Sequence, residues 1–306
     1  MLSEVKITRP NQGLPAAVSN VPAAALPRDP EQQLERLELK PQDVTHVLYH
    51  ADCPDGMGAA FAAWKSLGNK AEYIAVKHEV APPQLPRNAN VAIVDFSFPR
   101  ETLLELKSKV ENMVLLDHHK SAQDQLQDLD FVAFDLNRAA AGIAWKYFHP
   151  TKQQPELLHY VEDSDLGRHQ LPHTREINAA LSTYPLDFNV WEKLSVDQLK
   201  EEGPGVLAAR DRRAGDVAKG AKWQDVGGYH VPTVNVTPDY AAEVREKLFE
   251  NHPEAPFVAI YSVDHEHVER WSLYSQGDFD VSKLAENKGG GGHPYAAGFR
   301  IFPNQF

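Results

Sequence analysis

Three short apolar runs in the first half of the chain are each followed by acids or histidines. The runs are Val44–Tyr49, Val91–Val94 and Met113–Leu116. The polar residues that follow them are His50, Asp52, Asp55, Asp95, Asp117, His118 and His119. A single Asp at the end of a strand is a common turn residue, but three such ends with flanking histidines favour one shared site. Oxygen and imidazole ligands without thiolates suit Mn²⁺, Mg²⁺ and similar divalent ions.

This set of residues predicts a centre with two metal ions. Two divalent ions roughly 3.5–4 Å apart form a clamp for phosphoryl chemistry, commonly with one bridging carboxylate. Their combined charge is neutralised by about four carboxylates. Asp52, Asp55 and Asp95 are three candidates, so a later acid must complete the set. Asp163 follows an apolar helical stretch and is preferred over its neighbour Asp165.

The segments around these residues predict an α/β fold. Two further apolar runs, Ile74–Val76 and Phe131–Phe134, are also candidate strands. Between the strands, Met57–Leu67 and Thr102–Val110 repeat apolar residues at helical spacing. Strands that alternate with helices predict a mostly parallel sheet with helices on both faces. The carboxyl ends of such strands form the edge where ligands bind.

A second α/β unit follows in the C-terminal part of the chain. The segment Gly203–Gly205 interrupts the pattern, and Val206–Lys222 then predicts a charged helix. Later candidates are strands Val231–Val236, Phe257–Val263, His267–Ser275 and Ala296–Phe302 and helices Ala241–Glu250 and Val281–Glu286. We predict a loosely ordered extension at 1–40, a catalytic domain at 41–202, a helical linker at 203–226 and a smaller α/β domain at 227–306.

The second predicted domain contains a run of glycines followed by His293. Glycines allow backbone N–H groups to approach an anion closely, and a histidine adds a further donor. Next to an apolar strand, and paired with a carboxylate cage in the other domain, this run predicts a cradle for phosphate. The candidate substrate-binding residues are Gly290, Gly291, Gly292 and His293.

The composition argues against several classes of protein. The 306 residues include 43 Asp and Glu against 31 Lys and Arg, a net charge of -12. This excess of acid argues against gripping a long duplex nucleic acid through its phosphates. The single cysteine, Cys53, excludes an intrachain disulfide, and no apolar run has the roughly 20 residues that a membrane span needs. We expect a cytoplasmic protein without a membrane partner, and a homodimer is possible.

The same residues resemble the DHH phosphoesterase superfamily, which is named after a motif that stands here as Asp117-His118-His119. The segments that carry the resemblance, over roughly 44–302, are His50–Gly56, Asp95, Asp117–His119, Asp163 and the terminal GGGGHPYAAGF. The terminal segment resembles the DHH-associated C-terminal domain of RecJ-type exonucleases, oligoribonucleases and phosphoadenosine phosphatases. DHH inorganic pyrophosphatases lack that segment.

The resemblance implies a centre of two Mn²⁺ ions with Asp95 as the bridging ligand. The ligands that it implies are His50, Asp52, Asp55, Asp95, His118 and Asp163. It further implies that His119 contacts the scissile phosphate and that Asp117 orients a histidine. The glycine run and His293 would hold the phosphate from the opposite side of a cleft. Arg138, which precedes an Ala-rich helix, is a further candidate for phosphate contact.

Two positions depart from the pattern of the superfamily. Its first motif often reads His-x-Asp-x-Asp-Gly, whereas Cys53 and Pro54 here separate the two carboxylates by one extra residue. Whether Asp52 ligates a metal or supports the site from behind therefore stays open. A strand that commonly carries Arg in the superfamily has Tyr274 instead. A guanidinium would grip phosphate with two parallel hydrogen bonds, whereas a phenol would stack on a base or donate a single bond.

These features together predict a Mn²⁺-dependent phosphoesterase that hydrolyses short nucleotides through a metal-activated water. Its substrates would be oligoribonucleotides, dinucleotides or a nucleoside 3′,5′-bisphosphate, with cyclic dinucleotides as an alternative. Candidates for contact with a base are Tyr274, Tyr295, His169 and His173. A cysteine hydrolase based on Cys53 is disfavoured because nearby acids would raise the pKa of its thiol. A non-catalytic nucleotide-binding or metal-binding protein is the other alternative.

Overall fold

The computed structural model describes residues 29–77 and 80–303. Its helices are α1 (Pro30–Arg36), α2 (Pro54–Leu67), α3 (Arg100–Lys109), α4 (Lys120–Leu126), α5 (Ala140–Phe148), α6 (Glu156–Asp165), α7 (Thr174–Leu181), α8 (Phe188–Trp191), α9 (Val196–Lys219), α10 (Ala241–Asn251) and α11 (Ser282–Glu286). Its strands are β1 (His46–His50), β2 (Glu72–Val76), β3 (Asn90–Val94), β4 (Asn112–Asp117), β5 (Val132–Phe134), β6 (Lys222–Val226), β7 (Tyr229–Asn235), β8 (Phe257–Val263), β9 (Glu269–Ser275), β10 (Gly291–His293) and β11 (Ala296–Ile301). Within the described ranges, no helix has both the length and the apolar character to cross a membrane.

The first sheet is parallel and has the strand order β2-β1-β3-β4-β5. Alternate residues of its strands belong to two cores, one shared with α2, α5, α6 and α7 and the other with α3 and α4. The expected α/β fold with helices on both faces of a parallel sheet is therefore confirmed. From β1 the chain proceeds to β2 on one side and later to β3 on the other, so a crevice opens at the carboxyl ends of β1 and β3.

Residues 29–40, which we expected to be loosely ordered, are folded against the edge of the first sheet. The buried side chain of Gln33 donates to the carbonyl of Phe134 (3.1 Å) and accepts from its backbone N–H (2.9 Å). Arg36 donates to the carbonyl of Val132 (3.0 Å). These bonds satisfy backbone groups on the edge strand β5, which would otherwise offer a pairing surface. The remainder of the predicted extension, 1–28, lies outside the described residues.

The second sheet is mixed and has the strand order β10-β11-β9-β8-β7-β6. Strands β7 and β8 are parallel, and the other neighbours are antiparallel. The predicted helix at Val206–Lys222 overlaps the longer α9, but α9 ends at Lys219 and Lys222 already belongs to β6. The predicted linker 203–226 therefore includes β6, which sequence analysis missed. The sequence gives no sign of β6 because Val226 is its single buried residue.

Helix α9 is shared by both domains rather than connecting them as a separate linker. Leu199, near its start, belongs to the core of the first domain, and Ala214, near its end, belongs to the core of the second. Arg175 of α7 forms ion pairs with Asp211 of α9 (3.6 Å) and Glu246 of α10 (3.0 Å). The same helix therefore packs against both parts of the molecule.

Gly203 is the point where α9 packs directly on the backbone of α7. A Cβ atom there would lie 2.2 Å from the carbonyl oxygen of Glu176, so the two helices would have to separate. We expect Gly203→Ala to lower the free energy of unfolding by about 1–3 kcal/mol, although Ala normally stabilises a helix interior relative to Gly by about 1 kcal/mol. Urea unfolding followed by circular dichroism measures this change.

Gly215→Ala, in the same helix, is the matched control because a Cβ atom there would have nothing within 4 Å. We expect this variant to raise the free energy of unfolding by about 0.5–1 kcal/mol. Shifts of the same sign and size in both variants would contradict a close contact at Gly203.

Candidate metal centre

Acids and histidines meet at one edge of the first sheet because three adjacent strands end there. His50 ends β1, Asp95 directly follows β3, and Asp117 ends β4. Asp95 is 2% exposed and Asp117 is 0% exposed. Burying a carboxylate is unfavourable unless it is paired or bound to a cation. The edge selected by sequence analysis therefore carries acids that need partners.

Asp95 lies between two histidines. Its Oδ1 is 3.4 Å from Nε2 of His118, and its Oδ2 is 3.4 Å from Nδ1 of His50. Burial by itself would raise the pKa of Asp95, but the two imidazoles outweigh this effect and hold the pKa well below its usual range. Its backbone φ of +66° is uncommon for a residue other than glycine and is typical of functional sites. Each oxygen of Asp95 therefore faces a different histidine.

Three groups of possible ligands lie at this edge, and the ligand atoms of each group lie within 4.8 Å of one another. One of them is formed by the strand-end residues Asp95, Asp117, His118 and His119, and the other two are called the ligand groups. The first ligand group is Asp55, His118 and Asp165, and the second ligand group is His50, Cys53 and Asp95. The buried Oδ2 of Asp95 makes no hydrogen bond within the described part of the chain. This oxygen and the neighbouring carboxylates and imidazoles fit divalent cations.

The acids of the first ligand group repel one another in the absence of a cation. Burial and the carboxylates of Asp95 and Asp165 raise the pKa of Asp55 well above its usual range. Burial likewise raises the pKa of Asp165. Asp55 is held in place by the backbone N–H groups of Ala140 (2.7 Å) and Ala141 (2.9 Å) at the start of α5. A cation between these carboxylates would remove the repulsion.

Asp117 fixes the orientation of His119. Its Oδ1 lies 2.7 Å from Nδ1 of the His119 ring and accepts the backbone N–H of His118 at 2.7 Å. Burial by itself would lower the pKa of His119, but the hydrogen bond to Asp117 outweighs it and raises the pKa to about 9. This hydrogen bond favours the protonated form of the ring, and the side chain is 40% exposed.

Asp163, a predicted ligand, lies outside both ligand groups. Its carboxylate accepts the backbone N–H groups of Gln170 (3.0 Å) and Leu171 (3.1 Å) and the hydroxyl of Thr174. The structure places Asp165, the alternative to Asp163, in the first ligand group instead. The physical reason is helical phase: positions two residues apart on a helix point about 200° apart.

Asp52, another predicted ligand, also lies outside the ligand groups. Its side chain is 75% exposed, and its Oδ2 lies 2.7 Å from Nζ of Lys77. The structure instead places Cys53 beside His50 and Asp95, a position that sequence analysis did not assign to it. Burial and the carboxylate of Asp95 raise the pKa of the Cys53 thiol, which agrees with the argument against a cysteine nucleophile.

The glycine run faces the DHH residues across a cleft of about 550 Å³. Asp117 and His119 line the cleft from the first domain, and Gly291 and Gly292 line it from the second. The predicted cradle for phosphate and the DHH residues therefore border the same space. The side chain of His293 lies outside the described part of the structure.

A second cleft of about 620 Å³ shares Gly291 with the first and is also lined by Gly290. Three cations line it, namely Arg270, Lys288 and Arg300, together with the aromatic residues Trp271 and Phe302. Arg270 on β9 and Arg300 on β11 are register partners. Arg270 also pairs with Asp264 at 3.2 Å. This surface carries positive charge in a chain that is acidic as a whole.

The other predicted substrate contacts line neither of these clefts. Arg138 contacts Glu162 (3.4 Å) and donates to Gln154. The ring of Tyr274 lies 5.3 Å from the guanidinium of Arg245. The candidates for base contact that also lie elsewhere are Tyr295, His169 and His173.

No protein-family model matches the chain. An uncharacterized protein of Acanthamoeba polyphaga mimivirus is 28% identical over an alignment of 291 positions that covers 82% of this chain and 66% of the viral protein. The chain therefore spans just under two thirds of the length of that relative.

Solved structures show the same fold as this chain. The DHH domain of a member of the s1p family of ribosomal proteins aligns with a TM-score of 0.53 and 13% identity, covering 89% of this chain and 84% of that one. RecJ from Thermus thermophilus, in complex with Mn²⁺, aligns with a TM-score of 0.51 and 13% identity, covering 89% of this chain and 51% of that one. The chain thus has the fold of DHH-domain proteins.

Proposed function

We propose that this protein is a metal-dependent phosphoesterase of the DHH type that hydrolyses short nucleotides. The observation that carries the proposal is the position of Asp95 between two ligand groups, beside a cleft that His119 and Gly291 line from opposite sides. The fold shared with RecJ, whose structure holds Mn²⁺, supports the proposal.

The ligand groups would hold two divalent ions, with Mn²⁺ as the expected metal. Asp55, His118 and Asp165 would bind one ion, and His50 would bind the other, with Asp95 between them. When bound, such ions lower the pKa of a water molecule to about 7 and neutralise charge on the phosphate. The protein itself contributes the fixed positions of these side chains.

His119 would hold the phosphate of the substrate. Asp117 occupies Nδ1 of its ring and leaves Nε2 for the substrate. Despite burial, the hydrogen bond to Asp117 raises the pKa of His119, which favours a protonated ring. A fixed cation of this kind stabilises the negative charge that develops on a phosphoryl group during hydrolysis.

The second cleft favours a substrate with more than one phosphate. Arg270 and Arg300 can grip a phosphate. Since Gly291 lines both clefts, a dinucleotide could place one phosphate beside His119 and its next nucleotide in the second cleft. The acidic remainder of the surface would repel long polyanions.

Chelation is the experiment that tests the proposed function. After treatment with EDTA, the protein should hydrolyse neither bis-p-nitrophenyl phosphate nor short RNA, and added Mn²⁺ should restore turnover of both. Asp117→Ala should remove activity even with Mn²⁺ present, because His119 loses its orienting partner. Unchanged turnover in excess EDTA would exclude this chemistry, and tight nucleotide binding by the wild type without product would favour the non-catalytic alternative.

Removing the arginines of the second cleft should weaken the hydrolysis of a dinucleotide but not that of bis-p-nitrophenyl phosphate. We expect the double variant Arg270→Gln, Arg300→Gln to raise the KM for a dinucleotide at least about tenfold, because a hydrogen bond to a charged group contributes about 1.5–3 kcal/mol. Turnover of bis-p-nitrophenyl phosphate should stay within about twofold. Steady-state kinetics on both substrates measures the difference.

Lys222→Gln is the matched control because β6 lies at the opposite edge of the second sheet from β10. This variant removes one surface cation and should change the kinetics of neither substrate. An equal loss of activity on both substrates in the arginine variant would show that the second cleft does not bind the nucleotide.

A further inference from the structure

The second ligand group contains a sulfur atom. The Sγ atom of Cys53 and ligand atoms of His50 and Asp95 all lie within 4.8 Å of one another. A second observation points to a cation at this place: Oδ2 of Asp95 is buried and makes no hydrogen bond within the described residues, although Nδ1 of His50 lies 3.4 Å away. A buried carboxylate oxygen without a hydrogen bond needs a positive partner.

The start of α2 brings the sulfur to this position. Cys53 is the residue before the first helical turn and has an extended backbone (φ of -126°). In that first turn, a Cβ atom on Gly56 would lie 2.3 Å from the carbonyl oxygen of His50. Glycine therefore allows α2 to start directly against the end of β1. This contact fixes Cys53 and His50 on either side of the same short turn.

The acid expected to serve at this place is directed elsewhere. Asp52 is mostly exposed and pairs with Lys77 at 2.7 Å. Its backbone φ of +57° belongs to the left-handed region. With Asp52 in the solvent, Cys53 is the side chain that completes the group around His50 and Asp95.

We propose that Cys53, as a thiolate, is a ligand of one of the two metal ions together with His50 and Asp95, and that Asp52 is not a ligand. The proposal rests on the two-ion centre of the proposed function and specifies its chemistry. On binding, a sulfur–metal bond replaces the S–H bond, and the proton passes to the buffer.

The two ions would then have different preferences. The first ligand group offers two carboxylates and one imidazole, which suit Mn²⁺ or Mg²⁺. The second offers a thiolate, an imidazole and a carboxylate, which suit softer ions such as Co²⁺, Zn²⁺ or Fe²⁺. A centre with two unlike metals follows from this difference.

Titration of the metal-free full chain with Co²⁺ tests the ligand directly. A bond between Co²⁺ and a thiolate gives a charge-transfer band in the near ultraviolet. Because Cys53 is the single cysteine of the sequence, any such band from the protein reports on it. We expect the band in the wild type and its loss in Cys53→Ser. That variant should also bind the second ion at least about tenfold more weakly, since even indirect partners of a metal contribute about 10–100-fold to affinity.

Asp52→Asn is the matched control and should keep both the band and the affinity. Cys53→Asp should bind two ions without the band and should prefer Mn²⁺ over Co²⁺ more than the wild type does. Bound Zn²⁺ should also slow alkylation of Cys53 by iodoacetamide at least about tenfold, because a metal-bound thiolate is withheld from the reagent.

Three results would overturn the assignment: a wild type that binds two Co²⁺ without the band, a band that persists in Cys53→Ser, or alkylation that Zn²⁺ does not slow. Failure of the proposed function is distinguishable from these results. A protein that shows the band but hydrolyses no phosphoester would keep Cys53 as a ligand and exclude the activity.

Discussion

Asp95→Asn should reduce metal-dependent hydrolysis by about 10³-fold. The two oxygens of Asp95 face His118 and His50 at 3.4 Å each, so the substitution removes a negative charge from both ligand groups at once. Metal ions contribute several kcal/mol to stabilising the charge of the transition state. A loss of about 4 kcal/mol corresponds to about 10³-fold, at 1.36 kcal/mol for each factor of ten. Turnover of bis-p-nitrophenyl phosphate at saturating Mn²⁺ measures the loss as a fall in kcat.

Asp52→Asn makes the same chemical change at the end of the neighbouring strand and serves as the control. Its exposed side chain pairs with Lys77, so we expect a change of less than about twofold. Similar losses in both variants would mean that the overall charge of this edge matters rather than the position of Asp95. A loss below about tenfold in Asp95→Asn would contradict a bridging role.

The first sheet could be predicted because each central strand is buried on both faces and is therefore a continuous apolar run. Elements that depend on other interactions were not recognised. Helix α1 is attached through the side-chain amide of Gln33, and β6 carries one buried residue, Val226. Neither α1 nor β6 has apolar residues at a regular helical or strand spacing, and this spacing is the main sequence signal of secondary structure.

The strand-end positions of the site could be predicted because a parallel sheet brings the carboxyl ends of its strands together. Ligands outside the strands depend on helical phase and on turn conformation. Asp165 lies four residues after Val161, a buried residue of α6. Because residues four apart share one face of a helix, this spacing could have identified Asp165 as a candidate ligand. The proposed replacement of Asp52 by Cys53 as a ligand depends on the positive φ of Asp52, for which the sequence has no signal.

Asp165→Asn should remove metal-dependent hydrolysis while leaving the metal-free fold intact. Its Oδ2 lies 3.6 Å from Nε2 of His118 in the first ligand group. We expect an affinity for the ion at least about tenfold lower. Because burial raises the pKa of Asp165, removing its charge should not lower the free energy of unfolding at neutral pH. Isothermal titration with Mn²⁺ and urea unfolding measure the two effects.

Asp163→Asn, two residues earlier on the same helix, should have the opposite effect: it should destabilise the fold and leave metal binding intact. Its carboxylate accepts hydrogen bonds from Gln170, Leu171 and Thr174, and hydrogen bonds to a charged group contribute about 1.5–3 kcal/mol. We expect the free energy of unfolding to fall by about 2–3 kcal/mol at neutral pH, with Mn²⁺ affinity unchanged. Loss of metal binding in this variant would indicate that Asp163 is a metal ligand.

The stabilisation by Asp163 should also depend on pH in a defined way. Burial by itself would raise the pKa of Asp163, but the hydrogen bonds from Thr174 and two backbone N–H groups hold it below its usual range. Because the pKa is lower in the folded chain than the value of about 3.9 in the unfolded chain, the stabilisation is complete above about pH 5 and is lost as the pH falls through the native pKa. The difference in unfolding free energy between wild type and Asp163→Asn should therefore be constant between about pH 5 and 8 and shrink below about pH 4. A difference that stays constant down to low pH would mean that the shape of the side chain, rather than its charge, holds the start of α7.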